Sequence, residues 1–176
     1  LIEFFAISSS IFTKSKVKSF FSIMTFIIFI SYIAAAIFML SSYFHLKILI
    51  FLLLFTCVAS DIGGFVTGKI LKGPKLTKIS PNKTISGSIG SLLFAIVFIT
   101  LIISYLTNSF QIYSLFIGLI TSIGCQVGDL FFSFLKRKSL LKDTGNILPG
   151  HGGVLDRIDG MLLGIPLGFV TSLLIY

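Results

Sequence analysis

The sequence predicts an all-α integral membrane protein, a polytopic helical bundle with about five transmembrane helices. Three observations predict it. Hydrophobic residues make up 55% of the 176 positions and charged residues only 11%, with a mean hydropathy of +1.06. The apolar residues fall in segments of roughly 16 to 25, the length that crosses a hydrocarbon core of about 30 Å. These segments lack the polar/apolar alternation of an outer-membrane barrel, so helices are the way to satisfy their backbone groups in lipid.

The N-terminal stretch 1–18 reads as an interfacial, cytoplasmic segment, and the opening Leu1 without a Met is expected to lie inside a longer protein. Spans follow at 19–40, 46–66, 88–106, 111–134 and 155–176. Residues 19–176 are therefore expected to form one transmembrane catalytic domain with cytoplasmic loops at 67–87 and 135–154. Cys57 and Cys125 fall singly within apolar segments and read as packing residues.

A net charge of +8 would suit a nucleic-acid partner, but the chain offers no soluble module to display a basic groove, so none is expected. Distribution is more informative than the total. Lys14, Lys16 and Lys18 precede the first span; Lys69, Lys72, Lys75, Lys78 and Lys83 follow the second; Lys136, Arg137, Lys138, Lys142 and Arg157 follow the fourth. If the spans alternate, thirteen of the fourteen basic residues share one side. The positive-inside rule makes that side cytoplasmic.

Apart from Glu3, every acid (Asp61, Asp129, Asp143, Asp156, Asp159) lies at or near that side. A carboxylate at mid-membrane costs roughly 2.5–3.5 kcal/mol on insertion scales, so Asp61 and Asp129, inside apolar runs, are expected to face a polar cavity. Asp156 and Asp159 are three apart at the start of the last span and project from nearly one face of a helix. They are either ordinary helix N-terminal acids or, joined by Asp129, ligands of a hard cation such as Mg²⁺, which takes one or two carboxylates plus substrate phosphates.

Gly150, Gly152 and Gly153 around His151 allow main-chain N–H groups to approach an anion, and His151 reads as a phosphate donor or a turn residue. Lys136, Arg137 and Lys142 alternate with acids in a way that suits a metal-bridged triphosphate; the competing reading is topology anchors touching lipid head groups. The run Ser80-Pro81-Asn82-Lys83-Thr84 looks like a turn leading into a helix, with hydroxyls for capping or phosphate contact. Gly160, Gly164 and Gly168 recur every four residues and allow close helix packing, within the chain or across a dimer seam.

The order of these residues resembles a family signature. Ser133-x-Leu135-Lys136-Arg137, then Lys142-Asp143-x-Gly145, then Leu148-Pro149-x-His151-Gly152-Gly153-Val154-x-Asp156-Arg157-Ile158-Asp159 is similar to the pattern of phosphatidate cytidylyltransferases, also called CDP-diacylglycerol synthases. The likeness continues through Gly128-Asp129, Asp61-x-Gly63-Gly64-Phe65, Gly68-Lys69 and the 80–84 run. It implies a magnesium-dependent membrane enzyme that makes CDP-diacylglycerol and pyrophosphate from CTP and phosphatidic acid, acting as a homodimer, with more spans before Leu1.

Residue by residue, the resemblance implies metal ligation by Asp129, Asp156 and Asp159, with a second cation nearby, and catalytic roles for these together with Lys136 and Asp143. Substrate binding is implied for Asp61, Ser80, Lys83, Thr84, Arg137, Lys142, His151, Gly152, Gly153 and Arg157. One departure is Ser86, which stands where the family commonly has Glu. The expected location is a bacterial inner membrane with the site on the cytoplasmic face. Alternatives are another membrane lipid head-group transferase or a transporter; the chain lacks the D-G-x-x-A-R run of CDP-alcohol phosphotransferases, and its acids gather at one face without an internal repeat.

Overall fold

A computed structural model of the chain describes residues 2–12, 16–40, 42–77, 79–141, 144–145 and 153–175, the side chains of residues 39 and 40 excepted. In chain order the helices are α1 (Ile2–Ile11), α2 (Lys16–Leu40), α3 (Phe44–Leu71), α4 (Ile85–Thr107), α5 (Tyr113–Lys138), α6 (Leu155–Ile158) and α7 (Met161–Ile175). Five stretches are long and apolar enough to cross a membrane: Lys16–Phe38, Phe44–Leu71, Ile85–Thr107, Tyr113–Lys138 and Leu155–Ile175. The expected all-α bundle with five spans is what forms.

Two helices outrun their expected ends. α3 continues to Leu71 and α5 to Lys138, because an extra turn satisfies backbone groups that would otherwise need other partners. α3 stops where Lys72 and Gly73 both take positive φ, 51° and 127°. α5 stops in a Schellman arrangement, with Leu140 N–H donating to Arg137 O and Leu141 N–H to Lys136 O, and Leu140 in the left-handed region at φ 58°. The last span, expected as one helix, is interrupted at Asp159–Gly160. There the Asp159 carboxylate accepts the Gly160 N–H at 2.8 Å, and Gly160 lies against the Cys125 backbone, where an added Cβ would stand 3.0 Å from the Cys125 carbonyl oxygen.

The bundle is α3, α4, α5 and α7 packed around one another, with α1 and α2 to one side. Small residues make the seams. Ser60 and Ser122 hydrogen-bond at 2.8 Å between α3 and α5, and Thr56, Thr121 and Ser114 are fully buried. The glycine stripe of α7 is spent inside the chain: Gly164 packs on Cys125 and Cys57, and Gly168 on Thr121 and Leu53. Both cysteines are free and buried.

Apolar clusters flank this seam. Leu52, Leu53, Ile99, Ile103 and Ile117 form one; Phe4, Ile7, Phe26, Phe132 and Leu155 form the other, joining α1, α2, α5 and α6. Large side chains such as Phe51, Phe55 and Tyr105 point outward, as they do when the solvent is lipid tails. Of the described residues of α2, only Ser19 and Phe26 are buried.

Candidate functional site

α3 and α5 end, and α4 and the α6–α7 pair begin, at the same end of the bundle. That end collects the acids and most of the basic residues, while His45 and Lys47 start α3 at the other.

The 72–84 connection is tied rather than loose. Lys75 and Thr84 form an antiparallel bridge, Leu76 N–H donates to Lys83 O at 2.8 Å, and Ile85 N–H donates to Pro74 O at 3.1 Å. Ser80 shapes its tip, accepting the Lys83 N–H at its carbonyl. Thr84 then caps α4, its hydroxyl accepting the Gly87 N–H at 3.1 Å. Ser86 ties the same connection to α3: its hydroxyl donates to Lys72 O, and its carbonyl accepts from Thr67 at 3.3 Å. The turn and cap expected for residues 80–84 form, and they present Lys83 inward.

Glycines let α3 and α4 meet backbone to backbone. A Cβ on Gly87 would stand 2.8 Å from Gly64 O, one on Gly63 would stand 2.8 Å from Gly90 O, and one on Gly90 would enter Thr67. Beside this contact opens a cavity of about 690 Å³, walled by Asp61, Lys69, Lys83, Thr84, Gln126 and Asp129 among others. Asp61, expected to face a polar cavity, does so. Ser80 does not line it.

Lys83 forms an ion pair with Asp129, whose other oxygen lies 3.4 Å from the Ser133 hydroxyl. Both charged side chains are partly exposed, at 27% and 34%, so they remain open to a ligand. Asp61 lies within electrostatic reach of both.

Lys136 serves the second half of the site. Its Nζ donates to Asp156 Oδ1 at 2.7 Å and lies 3.8 Å from Asp159 Oδ2. Asp156 Oδ2 accepts from Thr144 N–H at 2.9 Å, Gly153 N–H at 3.0 Å and the Thr144 hydroxyl at 3.0 Å. Asp159 is within electrostatic reach of Asp129, Lys136 and Lys83, which joins the two halves. Two cations, Lys83 and Lys136, and three carboxylates, Asp129, Asp156 and Asp159, thus gather at this end of the bundle. Arg137 and Arg157 are exposed at the same end.

The expected ligand set of Asp129, Asp156 and Asp159 meets a test here. Among the described residues no group of three or more His, Cys, Asp and Glu side chains is gathered as a ready metal cage. Asp156 has both oxygens committed to donors, while Asp129 and Asp159 carry fewer bonds among the described residues. Asp129, a hard carboxylate donor on the wall of the cavity, fits what Mg²⁺ requires, with Asp159 as a second carboxylate at the same end of the bundle. Lys142, Asp143, His151 and Gly152 lie outside the described residues.

Three residues of this site had no reading as site residues in the sequence. Glu3 is 7% exposed and accepts from Val154 N–H at 2.8 Å, Leu155 N–H at 2.7 Å and the Thr144 hydroxyl at 2.9 Å. Thr144 joins Glu3 to Asp156. Gln126, one turn before Asp129, accepts from the Ser88 hydroxyl and donates to Ser88 O at 3.2 Å. Glu3 carried a usable signal, since an acid in an apolar segment must find donors. Gln126 carried another: a polar residue three before an intramembrane Asp shares its helix face.

A family model described as the cytidylyltransferase family matches residues 1–175. The chain is 44% identical over 113 residues to a phosphatidate cytidylyltransferase of Helicobacter pylori, covering 64% of this chain and 42% of that protein. It is 44% identical over 118 residues to one of Bacillus subtilis, covering 64% and 44%, and 40% identical over 134 residues to one of Rickettsia felis, covering 70% and 59%. The chain spans about half the length of the curated relatives it matches.

Proposed function

This chain belongs to the cytidylyltransferase family, and we propose that it carries the reaction centre of a phosphatidate cytidylyltransferase, moving the cytidylyl group of CTP onto phosphatidic acid to give CDP-diacylglycerol and pyrophosphate. The observation that carries this reading is the cluster of Lys83, Asp129, Asp159, Lys136 and Asp156 at one end of the bundle, with Lys83 and Asp129 lining a cavity of about 690 Å³. A triphosphate and a lipid phosphate meeting there need cations, and a membrane-embedded wall lets acyl chains stay in lipid. The relatives bear the matching name.

In the reaction an oxygen of the phosphatidate phosphate attacks the α-phosphorus of CTP. The bond from that phosphorus to the oxygen bridging to the β-phosphorus breaks, and pyrophosphate leaves with the electron pair. The attacking oxygen is already ionised, so no general base is needed; positioning and charge stabilisation do most of the catalysis. Lys83, on the cavity wall, and Lys136, each already on a carboxylate, are cations that can turn to phosphate oxygens, and Lys69 lines the same cavity. Thr84 and the cavity floor on α3 and α4 position the head group. Asp156, fixed by the N–H groups of Thr144 and Gly153, holds Lys136 in place.

Mg²⁺, held by Asp129 and Asp159 with Asp156 behind them, would supply charge neutralisation at the phosphates. The basic end of the bundle faces the cytoplasm by the positive-inside rule, in a bacterial inner membrane, where CTP is available. The enzyme works as a homodimer whose seam is not the α7 glycine stripe, since that stripe is covered within the chain.

Membranes containing the protein, incubated with CTP, phosphatidic acid and Mg²⁺, should form CDP-diacylglycerol and pyrophosphate in equal amounts. A folded, membrane-inserted preparation that makes neither would overturn the proposal.

A further inference from the structure

Glu3 is the most fully used carboxylate outside the cluster just described, and nothing in the proposed chemistry calls for it. It comes from α1, anchored by Phe4 and Ile7 in a cluster with Phe132 of α5 and Leu155 of α6. Among the described residues its oxygens meet only donors: Oε1 accepts from Val154 N–H, and Oε2 from Leu155 N–H and the Thr144 hydroxyl. The neighbouring donors along the same backbone, Gly153 N–H and Thr144 N–H, turn to Asp156 instead. Two carboxylates thus share the donors of residue 144 and residues 153–155, Glu3 from one side and Asp156 from the site side, and the Thr144 hydroxyl lies within hydrogen-bond distance of both.

Gly153 shows how tightly the two are fitted. A Cβ there would stand 2.7 Å from Glu3 Oε2 and 2.8 Å from its Cδ, and would also enter Thr144 Oγ1. The glycine allows this close approach, and the anions it admits to the backbone are the chain's own carboxylates, Glu3 and Asp156.

We infer that Glu3 is a positioning residue of the reaction centre: it clamps residues 144 and 153–155 from behind, so that their donors fix Asp156 and, through Asp156, the ammonium of Lys136. The inference rests on the proposed cytidylyl transfer for its kinetic readout, but the clamp itself is read by a second measurement.

The geometry makes a specific demand. Because the described groups around Glu3 are donors, an amide in its place sets its NH₂ against at least one N–H, and an alanine takes the acceptor from the Val154 and Leu155 N–H groups while the Thr144 hydroxyl still has Asp156. The test compares Glu3→Gln and Glu3→Ala with the unaltered protein in membranes, by steady-state kinetics and by hydrogen exchange of backbone amides. In both variants kcat should fall about tenfold or more while KM for CTP and phosphatidate stays within about threefold, the pattern of lost transition-state stabilisation. Exchange at Val154 and Leu155 should accelerate, with protection in α4 and α5 unchanged.

The inference is overturned if Glu3→Gln keeps its kcat, or if its losses come with loosening throughout α4 and α5, which is a purely structural role. Should Glu3→Ala fail to fold, the isosteric Glu3→Gln decides. If the unaltered protein makes no CDP-diacylglycerol, the proposed function fails, while unchanged exchange at Val154 and Leu155 in the variants would sink the clamp.

Discussion

At the scale of single residues, the site separates charges that hold structure from charges left open to a ligand. Asp156 is 12% exposed with Lys136 and two backbone N–H groups on its oxygens and a Thr144 hydroxyl shared with Glu3, whereas Asp129 is 34% exposed with one lysine and a distant hydroxyl. Removing either charge should be costly for different reasons. Asp129→Asn should lower turnover at least about a hundredfold, roughly 2.7 kcal/mol of transition-state stabilisation, chiefly by weakening cation binding. It should therefore show a shifted Mg²⁺ requirement in a metal titration. Asp156→Asn should lose a similar factor without that shift, because its carboxylate serves Lys136 and the backbone. Equal shifts in the metal titration for both would return Asp156 to the ligand set.

At the scale of elements, the tied connection before α4 and the glycine contact between α3 and α4 set where Lys83 stands. Thr84→Ala removes the cap hydroxyl from the Gly87 N–H and should cost about 1 kcal/mol of stability, measured as a lowered unfolding midpoint in detergent. Gly90→Leu drives a large side chain into Thr67 of α3 and should destabilise by about 1–3 kcal/mol, or more if the helices separate. At the end of α5, Leu140 pays for a left-handed φ of 58° while 95% exposed. Leu140→Gly should raise stability by up to about 1 kcal/mol in the same unfolding experiment.

At the scale of the whole molecule, the alternation of spans makes the charge asymmetry and the site one fact. Helix order alone brings residues 61–69, 83–91, 126–136 and 156–159 to a common end. Cysteines placed singly at Lys72 and at Asn108, in a chain whose own cysteines are buried, should label from opposite faces with a membrane-impermeant reagent; labelling from one face would break the topology.

This much was legible beforehand, since apolar length and lysine placement are local, additive signals. Span ends were short by about one turn at α3 and α5, because helices continue past the hydrocarbon edge wherever the backbone still profits from it. The break at Asp159–Gly160 was invisible because it arises from contact with Cys125, a residue of another helix. Lys83 was visible as a candidate, but its pairing with Asp129 was not, because it depends on a connection held largely by backbone bonds. Glu3 escaped for the same reason: its partners are N–H groups some 150 positions away, and backbone donors leave no mark in a sequence.

The central claim is that this charged end of the bundle transfers a cytidylyl group and not a phosphate. Labelled CTP tests it most directly: one sample carries the label in the α-phosphate, the other in the γ-phosphate, each given to membranes bearing the protein with phosphatidic acid and Mg²⁺. The account predicts that the α-label enters the lipid product and the γ-label appears only in pyrophosphate. Transfer of γ-label to lipid, or release of both labels as free nucleotide and phosphate with no lipid product, would contradict it.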